Sequence, residues 1–236
     1  MFNSYSEYIS YLKSGANLSK SEFDKKLIST KYKILGLKLP DLRDFAKQII
    51  KSGDSDLILS NKNFTYYEEL LIFSFVLSNI KIDEKDRIKR IKKFLVNIDN
   101  WSNCDSFCSS LKVVSKNKEI YFDFIKEIIS TNKTYFVRVG IILLMNYYLN
   151  EENLEKYFDI VGDINLNEYY IEMAKAWFFA TSLAKNFDKT LCYLKNNKLK
   201  FSKSELKKIV SKSRDSFRIT DENKKLIKKV LINDDI

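Results

Sequence analysis

Four side chains of this chain could together act on a positively charged group that is attached to a phosphate backbone. Trp101 and Asp105 are one helical turn apart, and Arg138 and Trp177 follow at nearly even steps of 37 and 39 residues. Each step is close to the length of one helical hairpin, which is typical of stacked repeats. If each hairpin contributes to a shared concave wall, two aromatic faces, a carboxylate and a guanidinium converge. Aromatic rings and a carboxylate attract a cation, and a guanidinium binds phosphate.

Each of these residues also has an ordinary structural explanation. Asp105 would suit an early helical turn because its charge complements the helix dipole, and Trp101 could pack as a lid on the core. Arg138 lies in the otherwise apolar run 135–145. A guanidinium buried there needs an anionic partner, either an internal carboxylate or a bound phosphate. Trp177 taken alone is more typical of a core residue than of a site residue, so the spacing alone leaves both interpretations open.

The elements that must position these side chains are predicted to be helices throughout. Only five Gly and one Pro serve 236 residues, too few for the turns of many short strands. Apolar periodicity predicts helices near 4–14, 20–28, 40–52, 65–80, 84–97, 101–115, 118–130, 134–149, 151–161, 167–185, 187–196, 202–212 and 220–232. Short polar turns join them, which predicts antiparallel helical hairpins.

Helix number and apolarity favour stacked hairpins over a four-helix bundle. There are about a dozen helices, and many are apolar over more than one stripe, because neighbours cover both sides. No Gly-, Ser- or Pro-rich linker divides the chain, so one domain spanning 1–236 is predicted. Its last residues, which end in the acidic Asp234 and Asp235, are expected to fray.

Helix starts are marked by cap residues and by amphipathic stripes. Three pairs have the spacing of a capping box: Ser19 with Glu22, Thr65 with Glu68, and Ser202 with Glu205. In the helix at 84–97, an apolar stripe is predicted to face the core: Ile88, Ile91, Phe94, Leu95 and Ile98. The opposite side is predicted to be a basic outer face: Arg87, Lys89, Arg90, Lys92 and Lys93.

The charge balance predicts a polyanionic partner. The net charge is +10 with a sequence pI near 9.2, which favours nucleic acid or an acidic membrane surface. An AT-rich coding bias that inflates Lys and Asn is the alternative. No segment approaches the roughly 20 apolar residues of a membrane span, and none resembles a signal peptide. We expect a soluble, intracellular protein whose basic residues line one face: Arg43, Lys47, Arg87, Arg90, Lys93, Arg214 and Arg218.

Residue types that are missing from the sequence exclude several chemistries. There is no histidine, hence no Ser-His or Cys-His nucleophile pair and no histidine base. No glycine-rich phosphate loop is present, and the acidic residues form no metal-binding pattern. Cys104, Cys108 and Cys192 are an odd, sparse set, which predicts a reducing cytosol without disulfides. We expect neither a metal nor a cofactor.

Several segments match one known family in order and spacing from about Leu27 to Ile227. They are Lys31-Tyr-Lys-Ile-Leu-Gly36, Pro40-Asp-Leu-Arg43, Asn100-Trp101-Ser-Asn-Cys-Asp105-Ser-Phe-Cys, Val137-Arg138, Tyr169-Tyr170 and Ala176-Trp177. Together they resemble the AlkD-like DNA alkylation repair family. The resemblance implies a right-handed α-solenoid of HEAT-like hairpins, whose concave face cradles duplex DNA.

The resemblance also implies an activity and the residues that carry it. It implies a glycosylase that excises cationic N-alkylated purines, such as 3-methyladenine and 7-methylguanine, without flipping the base. The catalytic aspartate of the family falls on Asp105, its two site tryptophans on Trp101 and Trp177, and its site arginine on Arg138. The family often has an acidic residue after the first tryptophan, where this chain has Ser102. That departure weakens the local negative potential.

Three hypotheses of different classes follow. The first is a monomeric DNA glycosylase of base excision repair, cytoplasmic and associated with the nucleoid when bound to alkylated double-stranded DNA. The second is a HEAT-like protein that binds DNA of unusual shape without cleaving it. The third is a helical scaffold for other proteins, which predicts little salt dependence of any association with DNA.

Overall fold

The computed structural model describes residues 2–233, and that part of the chain contains fourteen α-helices. It clusters into two compact units, the first ending at Phe124 and the second beginning at Ile125. The boundary lies inside one continuous helix, α8 (Lys118–Ser130), and not in a linker. A single domain therefore stays a prediction, and the units are described one at a time.

The first unit holds seven helices before α8. They are α1 (Tyr5–Ser14), α2 (Leu18–Leu27), α3 (Leu39–Ser52), α4 (Ser55–Leu59), α5 (Tyr67–Asn79), α6 (Glu84–Leu95) and α7 (Trp101–Ser110). A 3-10 turn, Lys112–Lys116, separates α7 from α8.

The second unit holds six helices after α8. They are α9 (Thr134–Tyr147), α10 (Glu155–Gly162), α11 (Tyr169–Lys185), α12 (Phe187–Asn196), α13 (Lys203–Arg214) and α14 (Asp221–Lys228). A 3-10 turn at Lys198–Lys200 precedes α13, and a π-helical turn, Lys229–Asn233, follows α14.

The prediction of an all-helical fold is confirmed for the described residues. Every predicted helix is present, and only the five-residue α4 was not predicted. The predicted helix at 101–115 is interrupted at Leu111, after which a 3-10 turn begins at Lys112. The one β-type contact in this part of the chain is an isolated bridge between Lys33 and Tyr66. The predicted fraying of Asp234 and Asp235 lies outside the described residues.

Alternate helices stack on one another within the first unit. Helix α3 packs on α5, and α5 packs on α7. Helix α5 is buried on all sides from Tyr67 to Ser78, which agrees with its being apolar over more than one stripe. Because α5 is covered, the exposed side chains of this row come from α3 and α7.

The second unit repeats this pattern with α9, α11 and α13. Helix α11 packs on both of the others, and charged groups reinforce its contact with α13. Lys175, 1% exposed, pairs with Glu205 and donates to the carbonyl of Ile164 at 2.8 Å. Lys208 donates to the Glu172 carboxylate at 2.6 Å and holds the pKa of that carboxyl below its usual value.

Of the three predicted capping boxes, one is confirmed, one is shifted by one residue and one is wrong. The capping box of Ser202 and Glu205 is confirmed at α13. At α5 the capping carboxylate is one residue later than predicted, because Glu69 accepts from the N–H groups of Thr65 and Tyr66. The predicted box of Ser19 and Glu22 is wrong. Helix α2 begins earlier, and the Asn17 side chain accepts from the N–H of Lys20 at 2.9 Å.

The carboxylate of Glu68 anchors the segment between α2 and α3. Glu68 is 1% exposed and accepts from the backbone N–H groups of Leu35, Gly36 and Leu37 at 2.8–3.3 Å. Gly36 has a φ of +83°, and a Cβ there would lie 2.3 Å from the Asn17 carbonyl oxygen. Only glycine fits this close approach, which explains the glycine in the segment matched above.

Arg87 is not on the outer face of α6, contrary to prediction. It is 2% exposed, its Nε donates to Glu84 at 3.0 Å, and its Nη atoms donate to the carbonyls of Leu77 and Ile80. The buried guanidinium therefore supplies hydrogen-bond donors to the carbonyl groups at the end of α5. Within residues 2–233, no helix combines the length and the apolarity needed to cross a membrane.

Candidate functional site

The start of α7 is fixed by a polar network that orients Trp101. Asn100 caps the helix by accepting from the N–H of Asn103 at 3.0 Å. The Asp99 carboxylate accepts from Thr30 Oγ1 at 2.9 Å and from the N–H of Lys31 at 2.8 Å. These bonds hold the helix start against the chain that follows α2.

Trp101 is half-buried and anchored through its ring nitrogen. Its Nε1 donates to the carbonyl oxygen of Leu27 at 3.1 Å, in the last turn of α2. This bond satisfies a carbonyl at a helix end and fixes the plane of the indole. The partly exposed ring is therefore held in one orientation, which a stacking surface needs.

Asp105 lies one turn further along α7, and its side chain is not sealed inside the protein. It is half-buried, whereas Cys104, Phe107 and Cys108 beside it are fully buried. Because side chains four residues apart share one helix face, Trp101, Asp105 and Ser109 form a single accessible strip. We call these three residues the α7 strip.

The Ser102 hydroxyl accepts a hydrogen bond from a core tyrosine. The hydroxyl of Tyr67, 5% exposed in α5, donates to Ser102 Oγ at 2.6 Å. Burial raises the pKa of Tyr67, so its hydroxyl stays protonated and remains a donor. The serine at the position where the family often has an acid therefore has a structural partner.

Replacing Ser102 by Ala should lower the free energy of unfolding by about 1–3 kcal/mol, because the buried Tyr67 hydroxyl loses its acceptor. Combining it with Tyr67→Phe should recover part of that loss, since both polar partners are then gone. Urea unfolding of the two single variants and the double variant checks this. Ser115→Ala is the control, because Ser115 is exposed and its hydroxyl donates to the neighbouring Lys112 carbonyl. Strictly additive losses would refute the coupling.

Arg43 reaches from α3 across α5 to the end of α7. Its guanidinium carbon lies 4.4 Å from the ring centroid of Phe75, which is 2% exposed beneath it. Its Nη1 donates to Ser110 Oγ at 2.6 Å and its Nη2 to Ser109 Oγ at 3.2 Å. The structure thus brings Arg43, predicted to bind DNA, to the same surface as the α7 strip.

Arg138 and Trp177 lie in the second unit. Arg138 is 5% exposed, and its Nη1 donates to the carbonyl of Tyr170 at 2.7 Å, which ties α9 to the start of α11. Trp177 is 40% exposed, between the buried Ala176 and Phe178. A core position for Trp177 is therefore wrong, whereas a phosphate bound by Arg138 stays a prediction.

The other predicted DNA-binding cations fall into two groups. Arg87 is removed from the set, because its donors are used inside the first unit. The remaining cations are all exposed: Lys47, Arg90 and Lys93 in the first unit, and Arg214 and Arg218 in the second. Lys47 pairs with Asp44 at 2.7 Å, but both side chains are largely exposed, so water and salt screen the pair.

The sequence did not point to four contributors to this surface. Ser109 could have been found, because it continues the face of Trp101 and Asp105 at a spacing of four. Ser110, the Leu27 carbonyl and Tyr67 gave no signal, since each acts through a partner distant in sequence. Among the described residues, no three Cys, Asp or Glu side chains group together as metal ligands.

Fold and site together define a class: an all-helical protein whose alternately stacked helices display an indole, a carboxylate and cations. A family model described as DNA alkylation repair enzyme matches residues 8–211. Since this match covers most of the chain, the chain belongs to that family, and the identification made from motifs is confirmed. The family repairs alkylated DNA, so DNA is the implied substrate. The comparisons with curated proteins and with solved structures gave no match.

Proposed function

We propose that this protein is a DNA glycosylase that releases cationic N-alkylated purines, such as 3-methyladenine and 7-methylguanine, from double-stranded DNA. The observation that carries the proposal is the half-buried position of Asp105 one helical turn from the anchored indole of Trp101. In a basic protein of a DNA repair family, a carboxylate on the α7 strip repels the phosphates of undamaged DNA. The same carboxylate stabilises a nucleotide on which positive charge develops.

The chemistry of the substrate explains why such a site needs few groups. An alkylated purine already carries positive charge and leaves as a neutral base, so no general acid has to protonate it. As the glycosidic bond breaks, positive charge builds on the sugar. Asp105 stabilises that charge and orients the water that attacks the anomeric carbon. A chain without histidine can perform this reaction.

The two indoles and Arg138 complete the proposed site. The π faces of Trp101 and Trp177 attract the charged nucleotide, and each is worth about 0.5–2 kcal/mol. Arg138 holds a neighbouring phosphate. In line with the family resemblance, we propose that the glycosidic bond is hydrolysed without the base being turned into a pocket.

The proposed architecture is one right-handed solenoid of HEAT-like hairpins that spans residues 1–236 and has a concave face for DNA. Its support is the alternate stacking found separately in each unit, α3–α5–α7 and α9–α11–α13. The four proposed catalytic residues lie on these stacked helices, Trp101 and Asp105 on α7, Arg138 on α9 and Trp177 on α11. We propose a monomer that acts in the cytoplasm, associated with the nucleoid when bound, and needs no metal or cofactor.

The direct test uses duplex DNA treated with a methylating agent. The protein should release free 3-methyladenine and 7-methylguanine and leave abasic sites, and both products are quantified by chromatography and strand scission. Untreated duplex should yield neither product. Absence of release from the treated duplex, at protein concentrations where the duplex is bound, contradicts the proposal.

A second candidate function is a protein that binds DNA of unusual shape without cleaving it. Two observations favour it over a glycosylase. Ser102 stands where the family often has an acid, and Arg138 is buried, both of which reduce the groups available for catalysis. Tight binding of distorted duplexes without any base release would establish this function.

Binding to undamaged duplex should depend steeply on salt. Phosphate contacts release counterions, and the logarithm of the affinity falls with log[salt] by about 0.9 per contact. The exposed cations of the two units predict several contacts, hence a slope steeper than about −3. Fluorescence anisotropy between low and physiological salt measures it. A nearly flat dependence would contradict a DNA-binding role and support the scaffold hypothesis.

A further inference from the structure

Arg43 is a partly desolvated cation that lacks an anionic partner in the described part of the chain. Its two side-chain hydrogen bonds go to serine hydroxyls, and among residues 2–233 no carboxylate lies within ion-pair distance of it. Burial lowers the pKa of Arg43, and no acidic neighbour opposes that effect. A guanidinium in this state costs free energy that a bound anion would offset.

The arrangement around Arg43 holds the guanidinium in one place. The group lies flat enough over Phe75 for its carbon to be 4.4 Å from the ring centroid. The hydroxyls of Ser109 and Ser110 both donate to the carbonyl of Ser106, at 3.0 and 2.8 Å. Their lone pairs are thereby turned toward Arg43, which donates to both.

The fixed guanidinium is also close to the proposed reaction site. Ser109, which accepts from Arg43, is four residues from Asp105 on the same face of α7. Neighbours at this spacing have their Cβ atoms about 5–6 Å apart. Because Arg43 lies one hydrogen bond beyond Ser109, at 3.2 Å from its Oγ, the cation and the Asp105 carboxylate belong to one face of the first unit. A phosphate at the cation would then be a near neighbour of a sugar at the carboxylate.

We propose that Arg43, mounted by Phe75, Ser109 and Ser110, is a preformed binding site for a backbone phosphodiester of DNA next to Asp105. The identity of this ligand as DNA rests on the proposed function. Two of the five guanidinium N–H donors bind the serines, so the others can bind phosphate oxygens. Fixing the phosphate fixes the register of the sugar relative to Asp105.

A purely structural strut between α3 and α7 is the competing explanation, and variants separate the two. Arg43→Gln removes the charge. Ser109→Ala combined with Ser110→Ala keeps the charge but removes the two hydrogen bonds that hold the guanidinium in place. Lys81→Gln is the matched control, because it removes one exposed positive charge from the same unit at a residue with no ion pair among the described residues.

The measurement is DNA affinity as a function of salt, made in the Asp105→Asn background so that binding is read without turnover. Arg43→Gln should weaken binding of a duplex about tenfold and reduce the salt slope by about 0.9. The double serine variant should weaken binding while keeping the slope, since the charge remains. Lys81→Gln should change neither substantially. Urea unfolding of each variant records any loss of stability separately.

If Arg43→Gln lowers the stability but leaves the salt slope unchanged, the proposed phosphate site is refuted. The structural strut between α3 and α7 is then the explanation for Arg43. This result can be told apart from failure of the proposed function. If the protein releases methylated bases and Arg43→Gln retains the full slope, the phosphate site fails and the glycosylase stands. If the slope depends on Arg43 and no base is released, the phosphate site stands and the glycosylase fails.

Discussion

Asp105→Asn is expected to reduce the rate of base release from methylated duplex DNA by about a hundredfold or more. The amide has nearly the same shape as the carboxylate but no charge, so it cannot stabilise the cationic sugar. Loss of one such electrostatic group typically raises the barrier by about 2.7–4 kcal/mol. Single-turnover kinetics with excess protein measures the chemical step directly.

DNA affinity separates this effect from a binding defect. Asp105→Asn should bind duplex DNA as tightly as the natural protein or somewhat more tightly, because a negative charge is removed from a surface that faces phosphates. Asp56→Asn is the control, since Asp56 is an exposed carboxylate of the same unit on a different helix, α4. Equal single-turnover rates for Asp105→Asn and the natural protein would refute a catalytic role for Asp105.

Gly36→Ala is expected to lower the free energy of unfolding by at least about 3 kcal/mol. A left-handed backbone costs a non-glycine residue about 1–2 kcal/mol. The added Cβ would also lie 2.3 Å from the Asn17 carbonyl oxygen and 2.6 Å from the Ser21 nitrogen, both of which are backbone atoms. Relieving the contact displaces the start of α2 or the segment whose N–H groups bind Glu68. Urea unfolding measures the loss.

Gly53 supplies a matched control for that prediction. It also has a left-handed backbone, with φ +85°, at the end of α3, but a Cβ there would meet nothing within 4 Å. Gly53→Ala should therefore cost only the conformational part, about 1–2 kcal/mol. Equal losses for the two variants would show that the close approach at Gly36 contributes nothing.

The placement of helices was predictable because it depends on local periodicity. Burial of one face at a period of 3.6 residues determined thirteen helices from the chain alone. The short α4 lacked enough residues to show a period, and the cap of α2 was misplaced because several polar residues there fit equally well. Arg87 was assigned to the outer face because its partners, the carbonyls at the end of α5, are not readable from sequence.

The candidate site was predictable where its members share one helix and not where they meet across helices. Trp101 and Asp105 at a spacing of four indicated a common face, and the accessibility of Asp105 agrees with it. The contact of Arg43 with Ser109 and Ser110 bridges more than sixty residues of chain. No periodicity encodes that contact, because it arises from the stacking of α3, α5 and α7.

The account depends most on the Asp105 carboxylate facing the sugar of a damaged nucleotide, with both indoles beside it. A crystal structure with a duplex that carries a stable cationic purine analogue tests this directly. The account predicts a carboxylate oxygen, or a water that it holds, about 3.5 Å from the anomeric carbon, with Trp101 and Trp177 both in contact with that nucleotide. A duplex bound to a surface without Asp105, or in contact with only one indole, would contradict it.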